Sequence, residues 1–254
     1  MRNPKETYAK YTDIALGKTQ TKASKIFLLA VMAGIFIAFA GVGAGFANSL
    51  VNKVCGSFVF CGGLSMVLVA GSELFTGNCL LIMPVLDKKI KISDMVKNLI
   101  VVYAGNLAGS LFVAFLASYS GTLNSVAETV VSCAESKVSL SFTEALIRGF
   151  LCNILVCVAV WMSFTSDRTS DKILIIIFPV ALFVLSGFEH SVANMYFIPA
   201  GMFVNRFLNI TGRNISIFDF VFKNLLPVTL GNILGGISVG AVYRFVYGKK
   251  VKTK

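Results

Sequence analysis

Long runs free of Asp, Glu, Lys and Arg alternate along the chain with short basic segments. The runs cover residues 26–52, 54–72, 74–86, a stretch within 98–127, 149–166, 173–188, 191–205 and 224–243. A helix needs about 20 apolar residues to cross the hydrocarbon layer. Glu73 separates the second run from the third, and Glu189 with His190 separates the sixth from the seventh. The pieces beyond these breaks hold 13 and 15 residues, short for independent crossings. Each therefore reads as the second half of one crossing with a polar break near its middle. The pattern predicts an all-α membrane protein with six transmembrane helices, of which helices 2 and 5 are broken.

The two breaks resemble each other. Residues 71–78 read G-S-E-L-F-T-G-N and residues 187–194 read G-F-E-H-S-V-A-N, sharing G-x-E-x-x-x-x-N. Each is followed by a proline, Pro84 and Pro199. In the next crossing of each half, G-N-L-A-G at 105–109 matches G-N-I-L-G at 231–235. Two matches in the same order, inside equivalent crossings, argue for an internal repeat. Three crossings per repeat make the second copy enter from the opposite side, so the repeats are inverted. We read one transmembrane channel domain over 1–254, with an N-terminal segment 1–25, repeats at 26–127 and 143–247, and a tail at 248–254. Backbone groups freed by a break cannot face lipid and must line a cavity or be held by protein. Gly71 and Gly187 permit the turns. Glu73, Asn78, Glu189 and Asn194 are expected to supply partners for the freed groups, which makes them structural residues of the breaks. Helices that begin near Thr76 and Ser191 turn exposed amides toward the midplane, which suits an anion, although the preceding half-helices end there with opposite polarity.

Composition agrees with a membrane protein: 56% of residues are hydrophobic, 14% are charged, and the formal net charge is +11. The excess charge follows topology. With the N-terminus inside, 17 of the 23 Lys and Arg fall on inner segments, including Lys88, Lys89, Lys91, Lys97, Arg168 and Lys172. The outer side holds Lys53, Lys137, Arg148, Arg206, Arg213 and Lys223. Both termini are then cytoplasmic, and the positive charge implies attraction to lipid, with no nucleic-acid partner. Six cysteines form no C-x-x-C pair, Cys133 stands alone in a loop, and the chain has one His, so neither a disulfide framework nor a zinc site is expected. No cofactor or metal is expected. No signal peptide is evident.

Residues 68–77, L-V-A-G-S-E-L-F-T-G, and 149–159, G-F-L-C-N-I-L-V-C-V-A, resemble the two signatures of the formate/nitrite transporter family. The resemblance extends from about residue 5 to 247, and within the family the chain looks most like the hydrosulfide-channel branch. It implies a homopentamer of aquaporin-like protomers in a bacterial cytoplasmic membrane, each with its own pore for small monovalent weak-acid anions. Hydrosulfide is favoured on this reading, with formate and nitrite as further substrates. It also implies roles for particular residues. His190 matches the pore histidine, Thr76 the pore-loop threonine facing it, and Lys137 a lysine near the mouth. Phe60, Leu64, Leu74, Phe75, Val156 and Phe183 fall at or near apolar constrictions, and Asn153, beside the core, joins the pore and substrate-binding residues.

The residues themselves support part of this. An ionisable group at membrane depth is costly and marks a pathway, and an imidazole can donate to an anion. Lys137 on its own reads as a solvated lysine. Two mid-membrane carboxylates would also suit a cation or proton path, but their matched places beside the breaks favour a structural role. Tyr8, Tyr11 and Ile14 among lysines suggest an amphipathic helix at the inner surface. Rival functions are a proton-coupled formate or nitrite transporter, a neutral-solute pore, and, from another class, a membrane redox protein or enzyme. The breaks lack Asn-Pro-Ala, one His cannot form the facing pair of an ammonium channel, and no nucleophile, metal or haem spacing accompanies the cysteines. An enzyme is therefore not expected.

Overall fold

A computed structural model describes residues 1–210 and 214–248. Arg213, Lys249, Lys250, Lys252 and Lys254, which entered the count of sidedness, and most of the 248–254 tail lie outside the described residues. Among the described residues all regular structure is helical.

The chain opens with α1 (Pro4–Gln20), started by a capping box in which Asn3 and Glu6 each accept from the other's backbone amide. The first repeat follows as α2 (Ala23–Leu50), α3 (Lys53–Val69), a break, and a half-helix built from α4 (Phe75–Asn78), a 3-10 turn and α5 (Ile82–Leu86), then α6 (Ile92–Tyr119). After α7 (Ala127–Val138) come α8 (Phe142–Ser163), α9 (Thr169–Leu185), a second break, α10 (Ser191–Leu208), a π-helical stretch at Asp219–Leu225 and α11 (Leu226–Tyr247). The crossings outrun the charge-free stretches. The third begins at Ile92 with Asp94 and Lys97 on its first turns, and the fourth begins at Phe142 with Glu144 and Arg148. Charged groups are tolerated at helix ends because their stems lie along apolar surface while the heads reach water. Cys133 lies on α7, not in a loop, because that connection is itself helical.

The repeats pack alike. α2 lies along α3 and α6, as α8 lies along α9 and α11, and α3 meets α9 between the halves. Glycine makes the closest of these contacts possible. A Cβ on Gly109 would stand 2.1 Å from the Val31 carbonyl oxygen, and one on its repeat-mate Gly235 would stand 2.3 Å from that of Phe150. Real Cβ atoms do not approach so closely, so these two G-N-x-x-G positions hold their helices in backbone contact.

α1 departs from the expected surface helix. Tyr8 and Tyr11 are buried in protein. The Tyr8 hydroxyl donates to Asp87 Oδ2 at 2.8 Å, and the Tyr11 ring meets Phe164 edge-on at 5.5 Å. Arg2 donates to the Phe164 carbonyl at 3.0 Å and pairs with Asp167. An aromatic nest of Trp161, Tyr243 and Tyr247 receives the helix, and burial against these rings competes well with lying on lipid.

Candidate functional site

Each broken crossing turns at a left-handed glycine, with φ of +70° at Gly71 and +71° at Gly187. These conformations cost a side-chain-bearing residue steric strain. Extended backbone follows at Leu74 and His190 before the next helix starts. The freed groups are taken up by asparagines from the neighbouring crossing. Asn106 Oδ1 accepts from the Phe75 amide at 2.9 Å, while its Nδ2 donates to the Glu73 and Ala30 carbonyls at 2.9 and 2.8 Å. Asn232 repeats this with the Ser191 amide at 2.9 Å and the Glu189 and Gly149 carbonyls at 2.9 and 2.8 Å.

The carboxylates therefore have other partners than expected. Glu73 Oε2 accepts from Asn78 Nδ2 and from Lys18 Nζ, both at 2.7 Å. Glu189 Oε2 accepts from Asn194 Nδ2 at 2.6 Å, and its Oε1 from Lys137 Nζ at 2.9 Å. Asn98 and Asn224 close the two clusters, accepting from Asn78 and Asn194 at 2.9 and 2.7 Å. Neither carboxylate takes a freed amide of a break, because Asn106, Asn232 and His190 already do. Each carboxylate is instead neutralised by a lysine from a helix outside the repeats, α1 for Glu73 and α7 for Glu189. A paired carboxylate at this depth avoids most of the desolvation that would make a bare one prohibitive.

Between the clusters the repeats differ. Leu74 occupies the position equivalent to His190, and Val192 that of Thr76. His190 Nδ1 accepts from the Ala193 amide at 3.1 Å, capping α10. This fixes the neutral tautomer, with the hydrogen on Nε2. Nε2 then donates to Thr76 Oγ1 at 2.9 Å, which leaves the hydroxyl hydrogen of Thr76 to donate elsewhere. The Thr76 carbonyl is held by Asn153 Nδ2 at 3.2 Å and Cys157 Sγ at 3.4 Å. Asn153 also donates to the Asn232 carbonyl at 2.6 Å. It is a brace behind Thr76, and neither residue lines the cavities described next, whereas His190 lines two of them.

Three cavities follow one another past this pair. A vestibule of about 280 Å³ is lined by Lys53, Lys137, Arg148, Glu189 and His190 among others. A central chamber of about 10 Å³ lies among Ile37, Phe60, Leu64, Leu74, Val156, Val180, Phe183 and His190. A third cavity of about 40 Å³, on the α1 side, is bounded by Leu64, Leu74, Ser72, Asn78, and Tyr11 and Lys18 of α1. Phe60, Phe183 and His190 are shared by the first two cavities, and Leu64 and Leu74 by the second and third. They form the two constrictions, and the Phe60 and Phe183 rings meet edge-on at 6.1 Å. Val156 lines the chamber between them. Phe75 differs from expectation. Its side chain turns away from the chamber onto Tyr103, with ring centroids 4.8 Å apart, because the first turn of α4 directs it toward α6.

In the vestibule the charge of Lys137 is matched by Glu189. Lys53 and Arg148 make no ion pair within 4 Å among the described residues, although the Glu144 carboxylate acts on Arg148 from one turn away, and they add positive charge to this mouth. A concave site with uncompensated charge of one sign concentrates the opposite ion. Lys18, Asn98, Asn106, Asn224 and Asn232 were not singled out as site residues by the sequence. A signal existed for four of them: Asn98 precedes Asn106 by eight positions, as Asn224 precedes Asn232, in equivalent crossings.

The chain is similar to known proteins over nearly its whole length. The sequence profile described as Formate/nitrite transporter matches residues 5–246. The chain is 38% identical over 263 aligned positions to the formate channel FocA of Haemophilus influenzae, covering 92% of each. It is similar to a solved pentameric formate channel with formate bound, at a TM-score of 0.79 and 34% identity, covering 89% of this chain and 98% of that one. A solved FNT family ion channel gives a TM-score of 0.86 at 30% identity, covering 95% and 98%. Match over nearly the whole length, in sequence and in fold, shows that the chain belongs to the formate/nitrite transporter family, a family of membrane channels and transporters and not of enzymes.

Proposed function

We propose that each copy of the chain encloses its own pore for small monovalent anions of weak acids, in a homopentamer of the bacterial cytoplasmic membrane with both termini inside. The observation that carries this reading is the Thr76–His190 pair, 2.9 Å apart and buried beside a chamber closed on both sides by apolar side chains. The pentamer rests on the solved pentameric formate channel that the chain resembles. Sidedness rests on the distribution of Lys and Arg.

A bare anion in an apolar passage meets a desolvation penalty of several kcal/mol. Lys53 and Arg148 draw the anion into the vestibule, while Lys137 keeps Glu189 from repelling it. At the chamber the Thr76 hydroxyl, polarised by the His190 N–H, donates to the anion. An anion that takes a proton from water in the vestibule becomes a neutral acid, which crosses the apolar constrictions far more easily, so the geometry suits both channel-like and proton-coupled passage. For the ring to take a second proton, Nδ1 has to release the Ala193 amide. Protonation of His190 is thus linked to uncapping α10.

The chamber of about 10 Å³ has room for about one water-sized centre. This favours hydrosulfide, with a single heavy atom, over formate and nitrite, which require the constrictions to part. The name of the Haemophilus influenzae relative supports formate as a substrate. The test is flux of hydrosulfide, formate and nitrite into liposomes holding the purified pentamer, at several pH values. Thr76→Val is expected to lower formate flux at least about tenfold, equivalent to about 1.4 kcal/mol in the barrier. His190→Asn keeps a donor without titrating near neutral pH, and is expected to retain assembly while altering the pH profile or the order of anions. Wild-type rates, order and pH profile in both variants would remove this pair from the mechanism.

A further inference from the structure

We propose that the groove between α6 and the last crossing faces the membrane and holds an acyl chain of an anionic phospholipid, with its head group among Lys88, Lys89, Lys91 and Lys97. The proposal rests on the membrane placement of the family, and not on which ion the pore passes.

The groove encloses about 740 Å³, far more than any of the pore cavities, between Met95, Leu99 and Tyr103 on one side and Leu225, Ile233 and Ile237 on the other. Its floor is Phe75, the residue that turns its back on the chamber. The hydroxyls of Tyr103 and Thr229, which lie on its walls, stand 2.9 Å apart, one donating to the other. Tyr103 and Thr229 each precede the first glycine of a G-N-x-x-G by two positions, so equivalent residues of the two repeats face each other on the groove. Its lining on α6 runs from Ile92 to Leu107, about 22 Å at 1.5 Å per residue. That exceeds the ~15 Å depth of one leaflet's hydrocarbon, enough for a full acyl chain laid along the helix.

The two ends of the groove differ in charge, and the difference selects the lipid. At the α6 end, Lys91 immediately precedes the lining residue Ile92 and Lys97 follows the lining residue Val96, with Lys88 and Lys89 in the preceding turn. All four are exposed, and none has a carboxylate partner among the described residues. The nearby acids are engaged: Asp87 with Tyr8 and Arg244, and Asp94 with the Lys91 amide. At the opposite end Lys223 is paired with Asp219 at 2.6 Å. An apolar channel ending in unpaired lysines fits a phosphate head group with its tail in the groove.

The test places an indole at Ile100→Trp, on the groove, in a Trp161→Phe background, and a control indole at Phe178→Trp, exposed on α9. The protein is reconstituted in mixtures of phosphatidylglycerol and phosphatidylcholine, with either lipid dibrominated to quench on contact. At position 100 the anionic lipid is expected to be preferred about tenfold, against about onefold at position 178. Lys→Gln at positions 88, 89, 91 and 97 together should bring the groove value down to that of the control. Equal preference at both positions, or a groove preference that survives removal of the lysines, would overturn the proposal. So would an indole at position 100 that neither lipid quenches, since a second copy or another protein segment would then cover the groove.

Discussion

Glu189→Ala is expected to destabilise the protein by about 3–5 kcal/mol, the usual consequence of removing one partner of a buried ion pair. Lys137 and Glu189 side chains are only 14% and 6% exposed, and their atoms meet at 2.9 Å. Without the carboxylate, the ammonium loses its counter-charge in a poorly solvated place. Asn194 Nδ2 loses a 2.6 Å acceptor, and Asn224 Nδ2 loses one at 3.3 Å. Adding Lys137→Met removes the stranded charge and should recover the larger part of the loss. The matched change Glu73→Ala should cost less, because Lys18 Nζ keeps a second acceptor, Asn78 Oδ1 at 2.9 Å. Chemical unfolding of the purified protein in detergent, with subunit assembly followed in parallel, reads all three variants. A Glu189→Ala protein as stable as wild type would mean that the pair is solvated and does not close the outer cluster.

The second large effect is expected at Asn232. Asn232→Ala removes the acceptor of the Ser191 amide and the donors to the Glu189 and Gly149 carbonyls. Each buried polar group left unpaired costs about 1–3 kcal/mol, with little water nearby to take over. The expected loss is therefore at least about 3 kcal/mol, with collapse of flux, since the residues released flank His190. Asn106→Ala should behave alike, because its bonds to the Phe75 amide and the Glu73 and Ala30 carbonyls are the same set in the first repeat. Thermal unfolding and liposome flux measured on both variants check this. A loss confined to one of the two would contradict equivalent clasps.

Much of the fold was legible because membrane physics writes it in composition. A crossing must be apolar and about 20 residues long, so six crossings and two breaks stand out in the charge pattern. The inverted repeat was legible because the same turn needs the same glycine and the same clasp twice. What the sequence left open was the pairing of polar groups. Glu73 and Glu189 sit beside the breaks, and proximity in sequence suggested that they take the freed amides. The actual takers, Asn106 and Asn232, are 31 and 41 positions from the amides they hold. Lys18 read as one more inner-side lysine, since nothing local says that α1 folds back under the breaks. Phe75 and Leu74 are neighbours with similar chemistry, and only the first turn of α4 decides that Leu74 faces the chamber and Phe75 the membrane groove. His190 was legible as an ionisable group at a break, and Thr76 only through the resemblance to the family; that the repeats differ at both places, with Leu74 against His190 and Thr76 against Val192, is clear once the breaks are superposed.

The central claim is that the path runs through each protomer by way of the vestibule beside His190. Ser136 lines that vestibule, as does Cys133. In a Cys133→Ser background, Ser136→Cys can be modified to graded extents with a bulky charged thiol reagent after the pentamer has assembled, before reconstitution. The account predicts that formate flux falls in proportion to the fraction of modified protomers, while the parent lacking Ser136→Cys is unaffected. Flux that stays at the unmodified level when every protomer carries the adduct would contradict it, and would move the path out of the protomer.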